Sequence, residues 1–191
     1  MASVVLLGDT SGSVTLSVPA VAGSNTLTVP AATGTLITTA SSGQSIPKAA
    51  LPTGSVLQVV QSTYATSTST TSSSFVDLGL SATITPTSSS SKILAIACLS
   101  CIYKNGANSS VGVNIVRTST EIVKFSENTL SYTAGTGASG VSATMTYLDS
   151  PATTSATTYK IQFKNGSATG TNVTINDSNV TSTLTLLEIS A

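Results

Sequence analysis

Histidine and tryptophan are absent from this 191-residue chain, aromatic residues make up only 4% of it, and there are two cysteines. Without an imidazole, a histidine general base, a histidine-dependent triad and a histidine-containing metal site are all excluded. Charge is equally scarce. Seven basic and seven acidic residues, 7% of the chain, leave a formal net charge of zero, whereas an average globular chain carries about 25% charged residues. Nothing in that balance draws the chain to nucleic acid or to an anionic membrane, so neither is expected as a partner. Long apolar runs are missing too. The longest, around Ile93 to Leu99, is far short of the ~20 residues that span a bilayer. Met1 to Asp9 has no basic residue ahead of its four-residue apolar run, so it does not read as a secretory signal, and synthesis in a cytoplasm is expected.

What is present is aliphatic and hydroxylated. Hydrophobic residues supply 40% of the chain and serine plus threonine about a third, with a mean hydropathy of +0.34. Such a chain has enough apolar surface to fold, unlike a disordered one of low hydrophobicity and high net charge. Threonine suits the pattern: its branched Cβ favours a pleated sheet and its hydroxyl tolerates water. A neutral surface of this kind has little charge to keep molecules apart, so its faces are expected to be covered by partners or symmetry mates.

No window sustains an i, i+3, i+4 apolar pattern, which leaves strands as the only regular structure. Residues 1–37 hold a repeat: Thr15-Leu-Ser-Val-Pro-Ala-Val-Ala-Gly23 is answered by Thr26-Leu-Thr-Val-Pro-Ala-Ala-Thr-Gly34. In each copy aliphatic and hydroxyl residues alternate, proline ends the strand and glycine permits the turn. Two such strands do not bury a core, so the segment reads as an extended β-arm needing a partner's surface, with Leu16, Val18, Leu27 and Val29 as its contact residues. Residues 38–53, with Pro47 and Pro52, read as a linker. From 54 to 191 period-2 segments recur at sandwich spacing, predicting strands at 56–61, 75–78, 82–85, 93–103, 111–117, 121–125, 141–148, 158–163, 172–175 and 183–189. The expected fold is all-β, a jelly-roll-like antiparallel β-sandwich behind the arm. Lys104-Asn105-Gly106 and Lys164-Asn165-Gly166 carry the dipeptide that best accepts a type I′ turn, so both are expected to be tight exposed turns or bulged loops. The tracts 62–74, 87–91 and 134–140 read as low-complexity loops.

Cys98 and Cys101 form the motif with the sharpest chemical profile. A zinc site needs about four ligands and no other cysteine or histidine exists, while a redox pair wants a helix start to lower its thiol pKa. Inside a strand, odd spacing sends the two to opposite faces, so two reduced thiols with at least one in the core are expected. The same parity argument separates Glu121 from Lys124. Two catalytic carboxylates are the remaining enzymatic option, but Asp77, Asp149 and Asp177 lie near turns or strand ends, where aspartate bonds its own backbone. Asn108-Ser-Ser, Asn165-Gly-Ser, Asn172-Val-Thr and Asn179-Val-Thr match the N-glycosylation pattern by chance in so hydroxyl-rich a chain. The chain reads as a non-enzyme without a cofactor or metal.

Gly8-Asp-Thr-Ser-Gly-Ser-Val-Thr-Leu-Ser-Val-Pro19 and its continuation to Leu36 resemble the N-terminal segment of virion structural proteins from tailed phages, especially those of aquatic and cyanobacterial hosts. Gly54 to Gln61, Phe75 to Leu94 and Ser182 to Ile189 resemble parts of the β-sandwich that follows in many of them. The resemblance implies a virion-surface protein, usually trimeric, of the tail-fibre, head-fibre or capsid decoration (cement) type, and it supplies no catalytic residues. Tail fibres that reach a host are generally much longer. The expectation is therefore a head-bound trimer whose arm grips the major capsid protein or another virion protein. The alternative is a receptor-binding module whose loops, carrying Asn105, Gly106, Asn108, Tyr132, Asn165 and Gly166, contact host-surface glycan. Tyr64, Tyr103, Tyr132, Tyr147 and Tyr159 are the rings able to stack on a sugar, although strand tyrosines usually pack half-buried.

Overall fold

Twelve strands appear among the residues that the computed structural model describes, which are 3–7, 13–17, 51–104, 106–135, 139–166 and 171–191. In chain order they are β1 (Ser3–Leu7), β2 (Ser13–Ser17), β3 (Val56–Tyr64), β4 (Thr68–Thr70), β5 (Val76–Ile84), β6 (Lys92–Lys104), β7 (Ser109–Arg117), β8 (Thr120–Thr133), β9 (Ser139–Asp149), β10 (Thr157–Asn165), β11 (Val173–Ile175) and β12 (Ser182–Ile189). The chain divides into two units, Met1–Ser45 and Ile46–Ala191, at a point inside the stretch read as a linker. In the first unit β1 and β2 pair antiparallel, with Leu16 opposite Val4. The first repeat copy thus takes the chain's own start as its strand partner; Val18, Leu27 and Val29 lie outside the described residues.

The second unit is the expected sandwich. Alternation drives it: in β5, Leu78, Leu80, Ala82 and Ile84 are buried while Asp77, Ser81 and Thr83 face water, as a pleat with one dry side requires. One sheet runs β3–β12–β6–β9, with β4 and β11 extending β3 and β12; the other runs β5–β10–β7–β8. Counting the eight lanes in chain order, these are 1-8-3-6 and 2-7-4-5, all antiparallel. That is the jelly roll, two Greek keys wrapped into facing sheets. Side chains from both sheets form one core, with Tyr159, Phe163, Ile161, Ile115 and Leu184 shielded from solvent.

Several strand limits differ from those the pattern predicts. Residues 75–78 and 82–85 are one strand, β5, because Gly79 passes through with φ +100° and keeps Leu78 and Leu80 both inward. The adjacent ladder with β10 is irregular at this point. A Cβ on Gly79 would stand 2.7 Å from Cζ of Tyr64, so Gly79→Ala meets both a forbidden backbone and a ring. It is expected to cost about 2 kcal/mol, read as a lower urea midpoint of the sandwich transition. β4, inside the predicted 62–74 loop, contains no aliphatic residue and so had no hydrophobic period to betray it. β8 extends to Thr133 through a series of bulges against β7.

Those irregularities overturn two arguments from parity. The β6–β9 register shifts between Leu99 and Ile102, and Cys101 takes φ +44°. Leu99 and Ile102 both enter the core, while Cys98 and Cys101 are both partly exposed, so neither thiol is a core residue. In bulged β8 the Lys124 ammonium lies 3.7 Å from Glu121 and 2.7 Å from Glu127. Two of the three aspartates placed near turns or strand ends also have more distant partners than their own backbone. Asp77 takes Lys160 and Gln162, and Asp149 takes Arg117 and Tyr159.

Neither Asn-Gly pair makes a hairpin. The chain between β6 and β7, and that between β10 and β11, crosses from one sheet to the other. Asn165 is the last residue of β10 and fully buried, its Nδ2 donating to the Thr171 carbonyl at 2.5 Å. It is therefore not an exposed turn residue. Asn105 lies outside the described residues.

Candidate functional site

The sandwich offers three places where chemistry collects: one end, one outer face, and two buried carboxylates. At the end, the predicted loop residues do converge from distant parts of the chain. Lys104 Nζ and Ser109 Oγ both donate to the Gly106 carbonyl, at 2.6 and 3.0 Å, and a Cβ on Gly106 would run into Thr171. The Gly166 N–H donates to the Ser110 carbonyl at 2.9 Å, and a Cβ there would meet Ser110 Oγ and Asn128 Cβ at 2.5 Å. These glycines are required by close approach of three segments. Among the described members, Gly106 and Gly166 are partly buried and Asn165 fully so, while Asn108 and Tyr132 are exposed. The Tyr132 hydroxyl donates to Asn108 Oδ1 at 3.3 Å and its ring is 55% exposed. Of the other tyrosines, Tyr159 is sealed in the core and Tyr64, Tyr103 and Tyr147 are partly buried.

The outer face of the β5–β10–β7–β8 sheet carries Asp77, Glu121, Glu127, Lys124, Lys160 and Lys164, six of the fourteen charged residues. They pair among themselves. Asp77 accepts from Lys160 at 2.9 Å and Gln162 at 2.6 Å, and these bonds hold its carboxyl below the usual carboxylate range. Glu127 accepts from Lys124 and Lys164, which lowers its carboxyl and raises the Lys124 ammonium. Both lysines lie over the Phe75 ring, 5.7 and 4.9 Å from its centre. Exposed pairs of this type add little to stability, but together they satisfy the charge of the face internally.

Two carboxylates are buried. Asp149 accepts both its bonds from Arg117 Nη1 (2.9 and 2.7 Å) and a third from the Tyr159 hydroxyl (2.7 Å). Burial, and then the Asp149 carboxylate, push the Tyr159 phenol far above its ordinary value, so it stays a donor. Glu188 accepts from Gln58 Nε2 (2.6 Å) and from the Thr87 N–H and hydroxyl (2.7 Å each). Burial alone would raise its carboxyl; the bonds from Gln58 and Thr87 outweigh burial and hold it low. In the sequence Glu188 is one acidic residue among seven, and its place on the inward parity of β12, with Leu184 and Leu186, is the signal that sets it apart. Among the described residues no three of Cys, Asp and Glu group as a metal site, and no helix is long and apolar enough to cross a membrane.

Fold and surfaces together define an antiparallel jelly-roll sandwich with one internally paired polar face. No protein-family model matches the chain, and no curated protein matches it either.

Proposed function

We propose that the protein is a structural component of a bacteriophage virion surface, a trimeric capsid decoration protein whose arm binds the capsid lattice and whose sandwich projects outward. The observation that carries this reading is the phrasing of residues 8–36, an aliphatic-hydroxyl repeat resembling the leading segment of such proteins, set ahead of a jelly roll. Jelly rolls serve as viral capsid and lectin domains. A fold does not by itself fix a function, so the arm bears the weight of the argument. In this mechanism Leu16, Val18, Leu27 and Val29 add strands or apolar contacts to neighbouring capsid subunits, each contributing about 25 cal/mol per Å² of apolar surface removed from water.

Deleting residues 1–36 is expected to abolish co-sedimentation with phage heads while the near-ultraviolet circular dichroism of the sandwich is retained. Binding that survives the deletion refutes the anchor. A second reading, a receptor-binding module for host glycan, is favoured by the exposed Tyr132 ring beside the Asn108 amide, one face for stacking and one polar group for a hydroxyl. Antibody labelling of particles separates the two: label on heads supports decoration, label at the tail tip supports the receptor reading.

A further inference from the structure

The outer face of the other sheet is the chemical opposite of the charged one. Strand register sets Val59, Leu187, Leu94 and Leu148 side by side in a single row across β3, β12, β6 and β9. All four point outward: Val60, Leu186, Ile93 and Ala95, which flank the first three, belong to or pack against the core, and Asp149, beside Leu148, is buried. Val59 is 58% exposed and Leu148 48%. The next row towards the chain terminus of β12 adds Ile189 beside Val56, itself 49% exposed; the rows on the other side hold Ile96, Cys98 and a field of threonines. Lys92, at the margin, is the one charged side chain in these rows.

We infer that this face packs against the same face of a second copy of the chain, a two-fold contact distinct from the three-fold contacts of the proposed trimer. The choice of occupant follows from charge and area. A charged protein partner finds no complementary charge here. A lipid surface is met by basic and aromatic residues around an apolar patch, and one marginal lysine does not make such a rim. A second copy brings the same neutral surface, so aliphatic row meets aliphatic row without like-charge repulsion, in a chain whose net charge is zero. Four strands about 4.8 Å apart, over eight residues rising about 3.3 Å each, present roughly 500 Å² a side, or about 1,000 Å² for the pair, the lower bound for a biological interface and the size of a weak, reversible one. The opposite face, its charges already paired, is left to water.

Sedimentation velocity of the full chain tests this without particles, so its outcome is separate from that of head binding. The wild-type chain is expected to sediment as an oligomer at micromolar concentration. Val59→Lys and Leu148→Glu, both at exposed positions, are each expected to weaken association at least tenfold while the circular dichroism spectrum stays that of the wild type. Thr83→Glu, on the charged face, is the control and is expected to leave association unchanged. A monomeric wild type, or both face variants assembling as the wild type does, overturns the inference. Should one face variant fold poorly, the other still decides.

Discussion

Asp149→Ala is expected to remove about 3 kcal/mol of folding stability, because it strands two partners at once. Truncating one member of a buried ion pair typically costs about 3–5 kcal/mol, most of it from the charge left behind. Arg117 keeps some solvent access, with its side chain 27% exposed, which places the effect at the lower end. The Tyr159 hydroxyl, buried in the core, loses its acceptor as well. For a domain of this size the corresponding fall in melting temperature is roughly 6–12 °C. Tyr159→Phe is the informative comparison. It deletes a donor but leaves Asp149 bonded to Arg117, so a loss of about 1 kcal/mol is expected. Equal losses in the two variants, measured by urea unfolding, would show that Arg117 contributes nothing through this carboxylate.

Glu188→Gln is expected to lower stability by about 2 kcal/mol at neutral pH and to flatten the acid limb of the stability curve. The carboxylate accepts on both oxygens, Thr87 twice on one and Gln58 on the other. An amide presents N–H groups to one of those donors whichever way it turns, leaving buried groups unpaired. The pH dependence has a defined sign. The folded-state pKa of Glu188 lies below its ordinary value of 4.5, so between the two the unfolded chain binds more protons and stability rises with pH. The contribution is full above the ordinary value and is lost as pH falls through the folded one. Glutamine has no such proton to gain, so the variant and wild-type curves should converge below that window. Asp77 is shifted in the same direction, but it is exposed and common to both proteins, so it adds a small parallel slope. Curves that stay parallel down to strongly acid pH would remove Glu188 from the account.

Much of the sandwich was legible because its strands obey a period of two. β10 and β12 alternate without interruption from end to end, and their burial follows the parity of the sequence residue by residue. Legibility failed where the backbone breaks parity. At Cys101 and along β8, an extra residue in one strand returns the next side chain to the face its number forbids. It failed again at Asn165-Gly166, where a dipeptide that suits an exposed turn is held in a junction by Thr171 and Ser110. No local signal reports a partner six or fifty-six residues away. The described loop residues of the candidate region do meet at one end of the sandwich, yet among them Asn165 is buried, Gly106 and Gly166 are partly buried, and Asn108 and Tyr132 are exposed.

By itself the sequence determined the class of structure: alternating aliphatic and hydroxyl side chains admit a sheet with one dry face and admit little else, and the absence of histidine removes whole chemistries at once. It also determined that any surface would be nearly neutral. Which face would carry the few charges was decided only by tertiary structure, because strand order places Asp77, Lys160 and Lys124 on one sheet and Val59, Leu187, Leu94 and Leu148 on the other. Parity along a strand says inside or outside; the pairing of strands far apart in the chain says whose neighbour each outside residue becomes.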